Sequence, residues 1–124
     1  MGRAEHISRR IAVIDDDADV AKSIARFVSV LGGEPRVAHN GEDGLALIRD
    51  FRPDVVILDI GMPKMDGLET CRRIREEFGS GMFVVAMTGW GREEDKQAAL
   101  RAGFDAHLTK PPKPEELARL VAGA

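Results

Sequence analysis

Five short apolar runs alternate along this chain with five segments whose apolar residues recur at helical spacing, and no other feature restricts the fold as strongly. The runs are "RIAVID" (10–15), "PRVAH" (35–39), "VVILD" (55–59), "MFVVAMT" (82–88) and "AHLT" (106–109). A strand with one wet face alternates polar and apolar residues, whereas these runs are apolar almost throughout. They therefore predict strands buried on both faces, hence a parallel sheet with helices on either side. The intervening segments, 18–32, 42–51, 66–78, 92–103 and 114–123, read as the helices. In the first, Val20, Ile24, Phe27, Val28 and Leu31 fall on one face. Gly32-Gly33 stops it, Asn40-Gly41 turns the chain, and Pro53 ends the second helix. Glu93, Glu94 and Asp95 suit the positive end of the fourth helix, and Pro114 suits the first turn of the fifth.

With 124 residues and every connection short, the chain reads as one domain over 10–124 behind a short tail, 1–9. An apolar share of 44% is enough for a core. A net charge of −3 argues against a direct nucleic-acid partner. No apolar run approaches the roughly 20 residues that a membrane-crossing helix needs, and the N-terminus lacks the apolar stretch of a signal peptide. Cys71 is the only cysteine, so no internal disulfide can form, which fits a reducing cytoplasm as the expected location.

The polar residues sit where such a sheet places its ligand, beyond the carboxyl ends of the strands. The first strand ends in Asp15, followed by Asp16 and Asp17, and the third ends in Asp59. The fourth ends in Thr88, the fifth runs into Lys110, and the second ends in His39-Asn40 with no acid. Two carboxylates about 4 Å apart repel by roughly 4 kcal/mol at an effective dielectric near 20, so three gathered acids call for a cation. A set of charged oxygens suits a hard divalent ion, and Mg²⁺ is the natural candidate. Acids, a metal, an ammonium and a hydroxyl together match the needs of a phosphoryl group, and a carboxylate can itself be the nucleophile. Asp59, at the end of the central strand, is the best-placed attacker, with Asp15 and Asp16 as metal holders.

Plainer roles fit other residues. Asp17 and Asp66 read as helix N-caps. Cys71, Met62, Met65, Met82 and Met87 read as packing, His6 as surface and His39 as a turn residue. No His/Cys spacing suggests zinc, and "GWG" (89–91) lacks the third glycine of a dinucleotide loop.

Four motifs, "VIDDD" (13–17), "VVILDIGMPKMDG" (55–67), "AMTGWG" (86–91) and "HLTKPPKPEEL" (107–117), make the chain resemble the receiver domain of bacterial two-component response regulators from about Ile11 to Val121. The resemblance implies a flavodoxin-like, doubly wound fold with sheet order 2-1-3-4-5 and a cis Lys110–Pro111 bond. It implies that Asp59 accepts a phosphoryl group from a histidine kinase or histidine phosphotransfer protein. It implies Mg²⁺ held by Asp16, Asp59 and the backbone carbonyl of Gly61, with Asp15 acting through water, and phosphoryl oxygens contacted by Thr88 and Lys110. The output would be a conformational switch read by a downstream protein, with no turnover beyond self-phosphorylation and self-dephosphorylation.

Three departures from the family pattern stand out. His107 occupies the place of an aromatic residue that swings inward with the Thr88 switch, so signalling is expected to run mainly through the 88–95 loop. Trp90, between two glycines, is placed to screen an acyl phosphate from water, and Gly61 lacks a side chain to orient one. Both favour a longer-lived phosphorylated state. The runner-up is a Mg²⁺-dependent phosphatase with an aspartyl nucleophile. Such enzymes place a second acid two residues past the nucleophile, where this chain has Gly61. A flavin module would need a Ser/Thr-rich loop after the first strand, and a degenerate receiver would have lost acids that this chain keeps.

Overall fold

A computed structural model describes residues 9–62, 66–89 and 93–123. In chain order the elements are β1 (Arg10–Ile14), α1 (Ala18–Val30), β2 (Glu34–Ala38), α2 (Gly41–Phe51), β3 (Val55–Asp59), α3 (Gly67–Phe78), β4 (Phe83–Thr88), α4 (Glu93–Ala102), β5 (Ala106–Thr109) and α5 (Pro114–Ala122). The strands form one parallel sheet in the order β2-β1-β3-β4-β5, as the resemblance implies.

Alternate residues of β1, β3 and β4 feed two cores. Ala12, Ile14, Val56, Leu58, Val84 and Ala86 pack with Leu45, Ile48, Cys71, Ile74 and Ala99, which places α2, α3 and α4 on one face. Ile11, Val13, Val55, Ile57, Val85 and Met87 pack with Ala21, Ile24, Val28 and Leu117, which places α1 and α5 on the other. Burial of the Cys71 thiol pushes its pKa up to about 11, so it behaves as a small apolar group. No described helix is long and apolar enough to cross a membrane.

The expectation of double burial holds for β1, β3 and β4 and fails for the outer strands. Glu34 and Arg36 of β2 are exposed, and β5 buries only Leu108. These are the sheet's edges, where no strand lies beyond and the helices cover less. Strand β2 also stops at Ala38, so His39 lies past its end.

The chain enters its helices as the caps foretell. Asp17 Oδ1 accepts the N–H groups of Asp19 and Val20 at 3.0 and 3.2 Å, and Asp66 Oδ1 accepts that of Glu69 at 2.9 Å. Pro114 stands at the first turn of α5. A glycine is needed at position 67, because any Cβ there would overlap the Asp59 carbonyl and the Ile60 Cα. The start of α3 therefore lies directly against the exit of β3. The Lys110–Pro111 bond is cis.

Candidate functional site

Asp15 follows β1 and is fully buried, and Asp59 closes β3 with 6% exposure. Backbone N–H groups fix one oxygen of each. Asp17 N–H donates to Asp15 Oδ1 at 2.9 Å, and Gly61 N–H donates to Asp59 Oδ1 at 3.0 Å. The Lys110 ammonium bridges the remaining pair, 3.1 Å from Asp15 Oδ2 and 3.2 Å from Asp59 Oδ2. Lys110 is anchored in turn, since its N–H donates to the Thr88 carbonyl at 2.7 Å. Thr88 ends β4 with a buried hydroxyl that has no hydrogen-bond partner among the described residues.

Asp16 completes the acidic group. One carboxylate oxygen from each of Asp15, Asp16 and Asp59 lies within 4.8 Å of the others, with Asp16 on the exposed side. Three strand ends and the turn after β5 thus bring together Asp15, Asp16, Asp59, Thr88 and Lys110.

The electrostatics reflect this crowding. Burial raises the Asp15 carboxyl above the usual carboxylate range, and the negative charge of Asp59 adds to the rise. The Asp17 N–H and Lys110 only partly counter them. Burial pulls the Lys110 ammonium down, but the carboxylates of Asp15 and Asp59 outweigh it and the net shift is upward. Three carboxylates against one ammonium leave two negative charges, the balance a divalent cation would neutralise. The donors are all hard oxygens, and the unpartnered Thr88 hydroxyl awaits an acceptor. Both features fit Mg²⁺ beside a phosphoryl group.

Other expected residues fall elsewhere. Gly61 contributes its N–H to Asp59, and a Cβ there would stand 3.5 Å from Asp59 Oδ1, so the space beside the carboxylate is open. His107 is outside the acidic group. It pairs with Ala86 on β5 and lines a recess of about 240 Å³ with Lys96, Leu100 and Phe104. Trp90 and Met65 lie outside the described residues.

Sequence reasoning missed His39. Its Nδ1 is 3.1 Å from the backbone carbonyl of Asp15. The signal was its place just past the strand that borders β1, which becomes informative only once the sheet order is known. A groove of about 550 Å³ runs from Lys110 and Pro111 along α1 and α5, floored by Val20, Ile24, Phe27 and Leu117.

Comparison with known proteins agrees with this geometry. The family model described as "Response regulator receiver domain" matches residues 11–122. A 14.6 kDa protein of Leptolyngbya boryana is 42% identical over 112 residues, covering 90% of this chain and 86% of that one. Response regulator MprA of Mycobacterium bovis is 40% identical over 111 residues, covering 90% of this chain and 48% of MprA. The chain thus spans about half the length of that relative. Among solved structures, a putative response regulator from Chloroflexus aurantiacus superposes with a TM-score of 0.87 at 30% identity, covering 94% of this chain and 97% of the other. The beryllofluoride-activated DrrB receiver domain gives 0.83 at 31% identity, covering 94% and 97%.

Proposed function

This chain belongs to the response regulator receiver domain family, and from that premise we propose that Asp59 is its phosphoacceptor. The observation that carries the assignment is the shared ammonium: Lys110 touches both Asp59 and Asp15 at the carboxyl edge of the sheet. A phosphoryl group arriving there meets a nucleophile and a cation already in place.

The transfer proceeds in line. A carboxylate oxygen of Asp59 forms the new P–O bond while the P–N bond of a donor phosphohistidine breaks, and its electron pair stays on the departing imidazole. Lys110 neutralises charge on the moving oxygens, and the Thr88 hydroxyl donates to one of them. The Gly61 N–H keeps the Asp59 carboxylate oriented throughout. Asp15, Asp16, Asp59 and the Gly61 carbonyl would hold Mg²⁺, which would supply further charge neutralisation at the phosphoryl oxygens.

The switch follows from Thr88. Its buried hydroxyl has no hydrogen-bond partner among the described residues, and a phosphoryl oxygen would supply one, a contact that favours one arrangement of the β4–α4 segment over another. His107, packed beside α4, feels that movement. Gly61 leaves an acyl phosphate without a side chain to orient an attacking water, which favours a longer-lived phosphorylated state.

The donor is a histidine kinase or histidine phosphotransfer protein. A downstream protein reads the switch in the cytoplasm. The domain comprises 10–124 behind the tail 1–9, and it turns over no substrate beyond its own phosphoryl group. The phosphatase reading is disfavoured because Gly61 offers no carboxylate to protonate a leaving group.

Intact mass measurement after incubation with acetyl phosphate and Mg²⁺ tests the assignment. The wild type should gain one phosphoryl group and Asp59→Asn none. Equal labelling of the two would overturn it, and repeated turnover of p-nitrophenyl phosphate would revive the phosphatase.

A further inference from the structure

Strand β2 ends at Ala38, and Asn40 is already the N-cap of α2. The chain therefore leaves β1 just where β1 reaches its acids. Asp15 N–H still donates to the Ala38 carbonyl at 3.0 Å. In a continuing parallel ladder the next bond would bring the backbone N–H of residue 40 to the Asp15 carbonyl. The imidazole of His39 stands there instead, with Nδ1 3.1 Å from that oxygen. A carbonyl oxygen only accepts, so Nδ1 carries the proton and donates.

The acids differ in how they are held. Asp15 is fixed by the Asp17 N–H and Lys110, and Asp59 by the Gly61 N–H and Lys110. Asp16 is exposed, and among the described residues no hydrogen bond reaches its carboxylate. Its direction is inherited from its backbone. The Asp15 carbonyl and the Asp16 N–H belong to one rigid peptide plane, so anchoring the carbonyl limits how Asp16 can swing.

We infer that His39 is a positioning residue for the divalent-cation site, acting through the Asp15–Asp16 peptide to hold Asp16 toward the other two carboxylates. The inference rests on the reading of Asp15, Asp16 and Asp59 as cation ligands. Partners one step removed from a metal set how far its ligands are prearranged. Here the link is a single part-buried hydrogen bond to a backbone carbonyl rather than to a ligating group, so the effect is smaller than the roughly 10–100-fold such partners usually carry.

The test is calorimetric titration of Mg²⁺ into the wild type, His39→Leu and His39→Asn, with urea unfolding in metal-free buffer beside it. Leucine keeps the bulk and removes the donor. Asparagine loses the ring but places an N–H₂ where Nδ1 stands. His39→Leu should weaken Mg²⁺ by about three- to tenfold. His39→Asn should bind as the wild type does. Unchanged affinity in His39→Leu would overturn the inference, as would His39→Asn binding as weakly as His39→Leu. A wild type that takes up no Mg²⁺ would instead overturn the cation site itself.

Discussion

Asp15 is the residue whose surroundings conflict most with its charge. Burial raises its carboxyl above the ordinary value of 3.8, which means that the folded state holds that proton more tightly than the unfolded chain does. Stability therefore falls as pH rises through the window above 3.8, up to the raised folded-state value. Asp15→Asn removes this cost. In metal-free buffer at neutral pH the variant should withstand more urea than the wild type, and the gap should close as pH falls toward 3.8. The same variant should lose most of its stabilisation by Mg²⁺. A less stable Asp15→Asn under metal-free neutral conditions would show that the Lys110 contact outweighs burial. Asp15, Asp16, Asp59, Thr88 and Lys110 were legible in the sequence because each follows an apolar run whose end is visible. His39 was not, because its partner is a backbone atom of a neighbouring strand, and neither spacing nor polarity encodes that contact.

Among the elements, α3 shows how one side chain joins three segments. Arg75 Nε donates to the Gly103 carbonyl at 2.9 Å, and Nη1 donates to the carbonyls of Gly79 and Met82 at 3.2 and 2.9 Å. Nη2 donates to Asp105 Oδ2 at 2.7 Å, and that oxygen also accepts the Val84 N–H at 2.8 Å. A single guanidinium thus ties the end of α3 to the start of β4 and to the turn before β5. Arg75→Ala should cost about 2–4 kcal/mol in urea unfolding, because it strands two part-buried carbonyls and an acid together. Arg75→Lys should recover little of that, since an ammonium lacks the planar fork. An Arg75→Ala loss below about 1 kcal/mol would mean that water replaces these bonds freely. The helical spacing of 66–78 marks Leu68, Cys71 and Ile74 as the inner face. It says nothing of which polar residue bends round to loop carbonyls, so Arg75 looked like any surface arginine. The edge strands were misjudged for a related reason: exposure depends on strand order, which composition does not carry.

At the scale of the whole molecule, the acidic site couples to the stability of the entire domain. Gathering three carboxylates at one rim is unfavourable until a cation arrives, and a ligand that binds only the folded state stabilises it by mass action. Mg²⁺ at one hundred times its dissociation constant should add about 2.7 kcal/mol. For a domain of this size that corresponds to a rise in Tm of roughly 10 °C in a thermal melt. The rise should shrink in Asp16→Asn, and a wild-type Tm that ignores Mg²⁺ would contradict the site. The alternating pattern made the layered architecture legible, while the order of the strands came from the motifs. The order also makes β2 one of the sheet's two free margins. Glu34, Pro35 and Arg36 line the outer side of β2. A proline offers no N–H to a newcomer, and charges flank it on both sides. Crowded copies therefore find a poor template for growing a fibre along β2.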